Sequence, residues 1–324
     1  MSNNARDIKL KLFEVYSKNL SDVLSQFGKK GFERPTYICP LCRREFTSEQ
    51  LKNTGDNFLT IEHILPESVG GNEIVLTCKQ CNNNYGSKLD SHLKRGIDTM
   101  QFNAGGTGVN KDAHFKIDDG IESNGRIYFN ERGIPNFHFE GRRTNPKHHD
   151  YLKKLVQGKV PSGTINFKLS TYDRIKFKAA LLKSAYLKAF KDLGYIYMLN
   201  VNSEIPRKSV LIFDSSNQAF EGVFRFKDDT PPFGLSILTK PKELQGYLVS
   251  FMLKIGKKNE HYGVILPGGN DNSSTIYGAF KEYKMKNQQQ LSFDFTPLNS
   301  FEFLEDMNCM AIDDYWRNTP PPPR

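Results

Sequence analysis

The chain has 324 residues, of which 38% are hydrophobic and 12% aromatic, with a formal net charge of +9 and a pI of about 9.1. This composition is typical of a globular protein long enough for two domains, and it excludes a disordered chain. Residues 1–16 lack the apolar run of a secretory signal, and no segment reaches the ~20 apolar residues of a membrane helix. We therefore expect a soluble, cytoplasmic protein without a membrane partner, whose positive charge suits a polyanion such as nucleic acid.

The first half of the chain contains one predicted helix and several predicted strands. Apolar residues at helical spacing predict an amphipathic helix over residues 7–27, which ends at Gly28. Residues 101–112, QFNAGGTGVNKD, are rich in glycine and asparagine and predict a linker or exposed loop. Three strand-like runs follow, HFKI, RIYFN and NFHFE, with turns predicted at Ser123-Asn124-Gly125 and Gly133-Ile134-Pro135.

The second half begins with another predicted helix, TYDRIKFKAALLKSAYLKAFKDLG, capped by Ser170 or Thr171 and closed by Gly194. Its basic side chains point to both sides, which favours an amphipathic helix packed on one apolar face. The runs VLIF, GLSILT, GYLVSFMLKI, YGVILP, TIYGAF and LSFDF predict a strand-rich region, and NTPPPPR a polar tail. The predicted fold class is α+β, with an N-terminal helix (1–30), a small zinc-stapled module (31–100), a strand-rich α+β domain (113–318) and the tail (319–324).

Four of the five cysteines form two Cys-x-x-Cys pairs, Cys39 with Cys42 and Cys78 with Cys81, while Cys309 is left over. Two such pairs separated by tens of residues can close tetrahedrally on one Zn²⁺ ion. Four unrelated reduced cysteines would not explain the doubled spacing. We predict a structural zinc site, because four protein thiolates leave no open coordination position for water.

The segment between the cysteine pairs is not a plain polar hairpin. It contains Glu62-His63-Ile64-Leu65-Pro66, then Gly70-Gly71, then the strand-like Ile74-Val75-Leu76-Thr77. After the second pair, Tyr85, Leu89 and Leu93 form one apolar stripe of a helix. The predicted local order is strand, loop, strand, helix.

Within residues 36–95, the pattern EHILPESVGG followed by CKQCNN-x-x-G-x-x-LD resembles the HNH endonucleases, in particular the zinc-stapled subgroup of this ββα-metal fold. The resemblance implies that His63 is the general base and that Glu62 and Asn82 hold Mg²⁺ or Mn²⁺ on the scissile phosphate. Histidine titrates near neutrality, with an ordinary pKa of about 6.5, and hard divalent cations prefer oxygen ligands.

The sequence departs from the family pattern in two places. Glu62 stands where aspartate is commoner, and Asn72 lies one position early for the asparagine that often braces the histidine loop. Asn72, Asn83 and Asn84 therefore remain alternatives to Asn82. For His63 the competing interpretation is a structural histidine, and for Asn82 it is a helix N-cap. The basic residues expected to contact phosphate are Arg43, Arg44, Lys79, Lys88, Lys94 and Arg95.

The resemblance implies a metal-dependent endonuclease that hydrolyses phosphodiester bonds in DNA, most simply duplex DNA. It favours a restriction or antiphage effector, whose C-terminal region recognises or regulates and which acts as a homo-oligomer or with an activating partner. The alternatives are a non-catalytic zinc-ribbon module that binds nucleic acid and a zinc-stapled interaction scaffold. Cleavage that requires a divalent cation separates the nuclease from the binder, and salt-dependent affinity for DNA separates the binder from the scaffold.

Overall fold

The computed structural model describes residues 3–52, 55, 57–117, 121–144, 157–158, 163–167, 171–212, 217–227, 234–269, 275–286 and 294–298. Its content of 46% helix and 29% strand confirms the predicted α+β class. Two compact units can be separated: the described parts of 1–93, 173–253 and 260–324, and those of 94–172 and 254–259. The first unit joins the cysteine-bearing segment to residues far along the chain. The predicted tail and Cys309 lie outside the described residues.

The N-terminal part of the first unit has the predicted order of strand, loop, strand and helix. Its elements are α1 (Asn3–Gln26), β1 (Tyr37–Ile38), β2 (Glu45–Phe46), β3 (Leu59–His63), β4 (Ile74–Cys78), α2 (Lys79–Tyr85), a π-helical turn (Gly86–Asp90) and α3 (Ser91–Asn103), which continues into the second unit. β1 pairs with β2 and β3 with β4, both antiparallel. Helix α1 lies against this part, since the ammonium of its Lys9 donates to the Leu59 carbonyl at 2.7 Å.

The second unit contains an antiparallel sheet in the order β7-β6-β5-β8, formed by β5 (Lys111–Ile117), β6 (Ile121–Phe129), β7 (Pro135–Thr144) and β8 (Gly163–Phe167). The three predicted strand runs and the turn at Gly133 are confirmed. The predicted turn at Ser123-Asn124-Gly125 is wrong, because these residues lie inside β6. The pairing of β6 with β7 shifts register there, so the glycine marks an irregularity within a strand.

The remaining described elements belong mainly to the first unit. They are α4 (Arg174–Leu193), α5 (Tyr195–Met198), α6 (Glu204–Leu211), β9 (Val223–Arg225), β10 (Gly234–Lys240), β11 (Gly246–Ile255), β12 (Lys258–Pro267), α7 (Ile276–Lys286) and β13 (Asp294–Pro297). Short 3-10 turns cover Ser48–Leu51, Glu67–Val69, Val201–Ser203, Gln218–Gly222 and Lys242–Leu244. The strands form a sheet in the order β13-β10-β11-β12-β9.

Two of the C-terminal strand predictions are wrong. TIYGAF lies in α7, where Ile276, Tyr277 and Phe280 are buried, and Val210 and Leu211 of VLIF end α6. An apolar run of four to six residues does not reveal its period, so helix and strand look alike at this length. The runs in β10, β11 and β12 are confirmed, as are the last two residues of LSFDF, in β13.

Helix α4 differs from its prediction at the start and in its surroundings. Its N-cap is Asp173, whose Oδ1 accepts hydrogen bonds from the backbone N–H groups of Ile175 and Lys176, and not Thr171; Ser170 lies outside the described residues. Gly194 ends the helix, as predicted. Every residue from 179 to 190 is buried, so the predicted single apolar face is wrong.

Among the described helices, none is long and apolar enough to cross a bilayer.

Candidate functional site

The hairpin of β3 and β4 presents the predicted site. The strands pair in register from Leu59 opposite Cys78 to His63 opposite Ile74, so His63 is the last residue of β3. Residues 64–73 form the loop between the strands, and the backbone N–H of Ile64 donates to the Glu73 carbonyl at 2.9 Å. A Cβ at Gly71 would lie 1.8 Å from the Leu65 carbonyl oxygen, so this tight loop requires glycine there.

Glu62 and His63 have different surroundings, as expected for neighbours on a strand, whose side chains alternate between faces. Glu62 is 4% exposed, whereas His63 is partly exposed at the end of β3. The His63 ring has no hydrogen-bond partner among the described residues. Its nitrogens are therefore open to water or to a ligand.

Asn82 lies in the first turn of α2 and points its amide at β3. The Asn82 Nδ2 donates to the Ile61 carbonyl at 3.0 Å and to the Thr60 hydroxyl at 3.1 Å. The N-cap of α2 is Cys78, whose Sγ accepts from the Cys81 N–H, so Asn82 does not cap the helix. Its Oδ1 has no hydrogen-bond partner within the described part of the chain. Asn72, Asn83 and Asn84 are exposed.

A buried lysine on α4 lies between two carboxylates of the hairpin-helix motif. The Lys183 Nζ, fully buried, is 2.8 Å from Glu62 Oε1 and 2.7 Å from Asp90 Oδ2. Burial disfavours the ammonium charge, yet Glu62 and Asp90 outweigh this effect and hold the pKa of Lys183 above its ordinary value. The ion pair with Lys183 holds the Glu62 carboxylate through Oε1.

The donor set fits a hard divalent cation. Glu62 Oε2 and Asn82 Oδ1 have no hydrogen-bond partner among the residues that the structure describes. Carboxylate and amide oxygens are the ligand types that Mg²⁺ and Mn²⁺ prefer. Thr60, which contacts Asn82, and Glu62 are two positions apart on β3 and so share one face. Asn82 therefore contacts the face of β3 that also carries Glu62.

The four paired cysteines form a possible zinc site. Their sulfur atoms all lie within 4.8 Å of one another, and Cys42 Sγ is 3.7 Å from Cys78 Sγ. Sulfurs at the corners of a Zn–S tetrahedron with bonds of about 2.3 Å would be about 3.8 Å apart. The first pair lies in the β1–β2 turn, and the second joins β4 to α2, so the cluster links two hairpins and a helix.

The charge around the sulfurs favours metal binding. Hydrogen bonds with Cys39 and, to a smaller extent, Cys81 lower the pKa of Cys78 to about 6, and a lower pKa favours the thiolate form that binds metal. The Arg44 guanidinium places Nη2 3.1 Å from Cys78 Sγ and Nε 3.4 Å from Cys42 Sγ. A guanidinium at this distance offsets part of the negative charge of a four-thiolate centre.

The six basic residues predicted to contact phosphate have different environments. Arg43 forms an ion pair with Glu204 at 2.5 Å, Lys94 pairs with Asp98, and Arg44 contacts the thiols. Lys79 Nζ is 4.9 Å from the centre of the Phe58 ring. Lys88 is exposed and has no acidic partner among the described residues, and Arg95 is exposed on α3. Lys94 and Arg95 belong to the second unit and the others to the first.

Sequence reasoning missed the contribution of α4. It did not pair Lys183 with Glu62 and Asp90, or Lys188 with Glu73, because the partners are 93 to 121 residues apart. One signal was present, because the lysines of α4 are spread among apolar residues around the whole helix and do not form one polar face. A helix surrounded by apolar contacts must pair any lysine that it carries.

A hairpin followed by a helix, with a four-cysteine cluster at their junction, defines the class of ββα-metal modules. Residues 39–97 match the family model of HNH endonucleases, which confirms the resemblance seen in the motif. Over this segment, which is less than a fifth of the chain, the protein is similar to the HNH endonucleases, and this similarity suggests nuclease activity. Comparisons with curated proteins and with solved structures find no significant match to the chain.

Proposed function

We propose that the chain is a metal-dependent endonuclease that hydrolyses phosphodiester bonds in duplex DNA. The observation that carries this proposal is the open imidazole of His63 at the end of β3. The preceding residue, Glu62, lies on the same face of β3 as Thr60, which Asn82 contacts. These residues lie within the segment that matches the HNH endonucleases. The net charge of +9 suits a polyanionic substrate.

In this proposal His63 is the general base. Its imidazole accepts a proton from a water molecule while the water oxygen forms a bond to phosphorus and the bond from phosphorus to O3′ breaks. The leaving O3′ takes a proton from a second water molecule. An open ring at the end of β3 can receive that proton and later release it to solvent. General base catalysis of this kind contributes about 10²- to 10⁴-fold to a rate.

Glu62 and Asn82 are the proposed ligands of the divalent cation. When bound, Mg²⁺ or Mn²⁺ supplies positive charge that stabilises the phosphate as negative charge develops on it. Lys183 orients the Glu62 carboxylate, and the hydrogen bonds to Thr60 and Ile61 orient the Asn82 amide so that Oδ1 is the atom left for the cation. Lys88 and Arg44, which are both exposed, are the proposed phosphate contacts near the motif.

A role in cytoplasmic restriction or antiphage defence extends the proposal and is supported by the HNH resemblance alone. The residues outside 39–97 would recognise the target or regulate cleavage. One HNH site cuts one strand, so a double-strand break would need a second copy of the chain or a partner protein.

A second candidate function is a zinc-ribbon module that binds nucleic acid without cutting it. It is favoured by the possible zinc cluster with Arg44 beside it and by the exposed Lys88. Such a binder would not need the oxygen donors of Glu62 and Asn82.

Supercoiled plasmid DNA tests the proposal. The protein is dialysed free of loosely bound cations without a strong chelator, so that zinc is retained, and is then incubated with and without Mg²⁺ or Mn²⁺. We expect nicked or linear DNA only when a divalent cation is present. DNA binding that is equal with and without the cation, and that yields no product, would favour the zinc-ribbon module instead.

Replacement of Asn82 by alanine should remove one of the two proposed ligands of the divalent cation. We expect cleavage to slow by about 10²-fold, as when one stabilising group is lost from an active site, and to need more Mg²⁺ for half-maximal rate. Asn83→Ala is the matched control, because Asn83 is the next residue on α2 and is exposed. A Mg²⁺ titration of the nicking rate distinguishes them; a slow Asn83→Ala with a normal Asn82→Ala would transfer the role to Asn83.

A further inference from the structure

The loop that follows His63 is tied at its far end to helix α4. Glu73 is the last loop residue, and its carbonyl accepts the hydrogen bond from Ile64, the residue after His63. The Glu73 carboxylate contacts the Lys188 ammonium at 3.0 Å through Oε1 and at 2.8 Å through Oε2. Glu73 therefore closes the loop with its backbone and anchors it with its side chain.

Lys188 is itself held in place. It is 6% exposed, and its ammonium donates to the Asp192 carboxylate one turn further along α4 at 3.2 Å. A Cβ at Gly234 would lie 3.6 Å from Lys188 Cε, so the first residue of β10 lies beside the side chain. Hydrogen bonds between charged partners are the stronger ones. The Lys188 ammonium is therefore held in place within the part of α4, residues 179–190, that is buried.

We infer that Glu73 and Lys188 are positioning residues for His63. Lys188 belongs to α4, which is outside the segment that matches the HNH endonucleases. The inference rests on the proposed function, because it assigns this ion pair a role in the placement of the proposed base. Neither side chain is assigned a contact with substrate. A shift of Glu73 moves its partner Ile64, whose peptide group is bonded to His63, and misplacement of a catalytic group by about 1 Å can cost about 10²-fold in rate.

The competing interpretation is that the ion pair only stabilises the fold. Replacement of Lys188 would not separate the two, since it would also leave the buried Asp192 without its nearest cation. Glu73→Gln separates them better. It preserves the side-chain shape and the pair of Lys188 with Asp192, and Glu73 is 42% exposed, so the fold can tolerate the change.

The matched control is Glu67→Gln. It makes the same chemical change in the same loop, at an exposed residue that begins a short 3-10 turn. Glu73→Asp serves as the conservative variant, because it keeps the carboxylate charge and shortens the side chain.

The experiment uses the full chain and measures the single-turnover nicking rate of plasmid DNA with Mg²⁺, the Kd for the same DNA, the zinc content and the Tm. We expect Glu73→Gln to cut at least about tenfold more slowly with unchanged Kd, zinc and Tm, Glu73→Asp to recover part of the rate, and Glu67→Gln to match the wild type. A wild-type rate for Glu73→Gln, or a rate loss that parallels a fall in Tm, overturns the positioning role. A wild type that cuts no DNA overturns the proposed function, and the positioning role with it.

Discussion

Replacement of Cys39 by serine is expected to abolish zinc binding and to unfold the module formed by β1–β4 and α2. Cys39 is fully buried, and its Sγ accepts a hydrogen bond from the Cys78 backbone N–H at 3.4 Å. Structural zinc contributes about 10 kcal/mol or more to the folding of small modules, so the loss of one of four thiolates removes most of what holds the two cysteine pairs together.

The measurement is zinc content by elemental analysis, with the Tm of the same samples. We expect about one Zn²⁺ per chain for the wild type, on the basis of one four-cysteine cluster, and close to none for Cys39→Ser. The control is Cys309→Ser, which changes the cysteine that belongs to neither pair. A wild type that carries no zinc, or a Cys39→Ser variant that keeps zinc and the wild-type Tm, would contradict the structural zinc site.

The hairpin-helix motif could be predicted from the sequence because its information is local. The doubled Cys-x-x-Cys spacing, the glycines of the loop and the stripe of Tyr85, Leu89 and Leu93 each report a short-range constraint, and all three stripe residues are buried in the structure. Gly71 shows why the loop pattern is informative, since any other residue there would meet the Leu65 carbonyl.

The part that the sequence could not reveal depends on contacts between distant residues. Nothing near Glu62 in the chain indicates that its carboxylate meets Lys183, or that Glu73 meets Lys188. The basic residues of α4 suggested a solvent-exposed side, whereas Lys183 and Lys188 can be buried because each has a carboxylate partner. The wrong prediction at α7 has a local cause instead, because an apolar run of six residues is too short to reveal its period.

The contacts of α4 also change the interpretation of the HNH segment. Lys183 and Lys188 bring two fixed positive charges from outside residues 39–97 to Glu62 and Glu73. Residues 39–97 alone would leave Glu62 and Asp90 without their shared cation, and like charges placed together in a buried site repel. The structural unit that supports the proposed site is therefore larger than the segment that matches the family.

His63 is the proposed base of the nuclease, and the most direct test of this role compares the wild type with His63→Ala. Each protein is checked for zinc content and Tm and is then incubated with supercoiled plasmid and Mg²⁺ or Mn²⁺. Because the His63 ring has no hydrogen-bond partner among the described residues, its removal should leave the fold intact. His114→Ala, at a histidine of the second unit, is the matched control.

We expect the wild type and His114→Ala to nick the plasmid at equal rates and His63→Ala to be slower by about 10²- to 10⁴-fold, the contribution of a general base. The same folded His63→Ala protein should still bind the plasmid, which separates the loss of chemistry from the loss of substrate. Equal cleavage by the wild type and His63→Ala would contradict the assignment of the base. Binding without cleavage by all three proteins would contradict the nuclease itself.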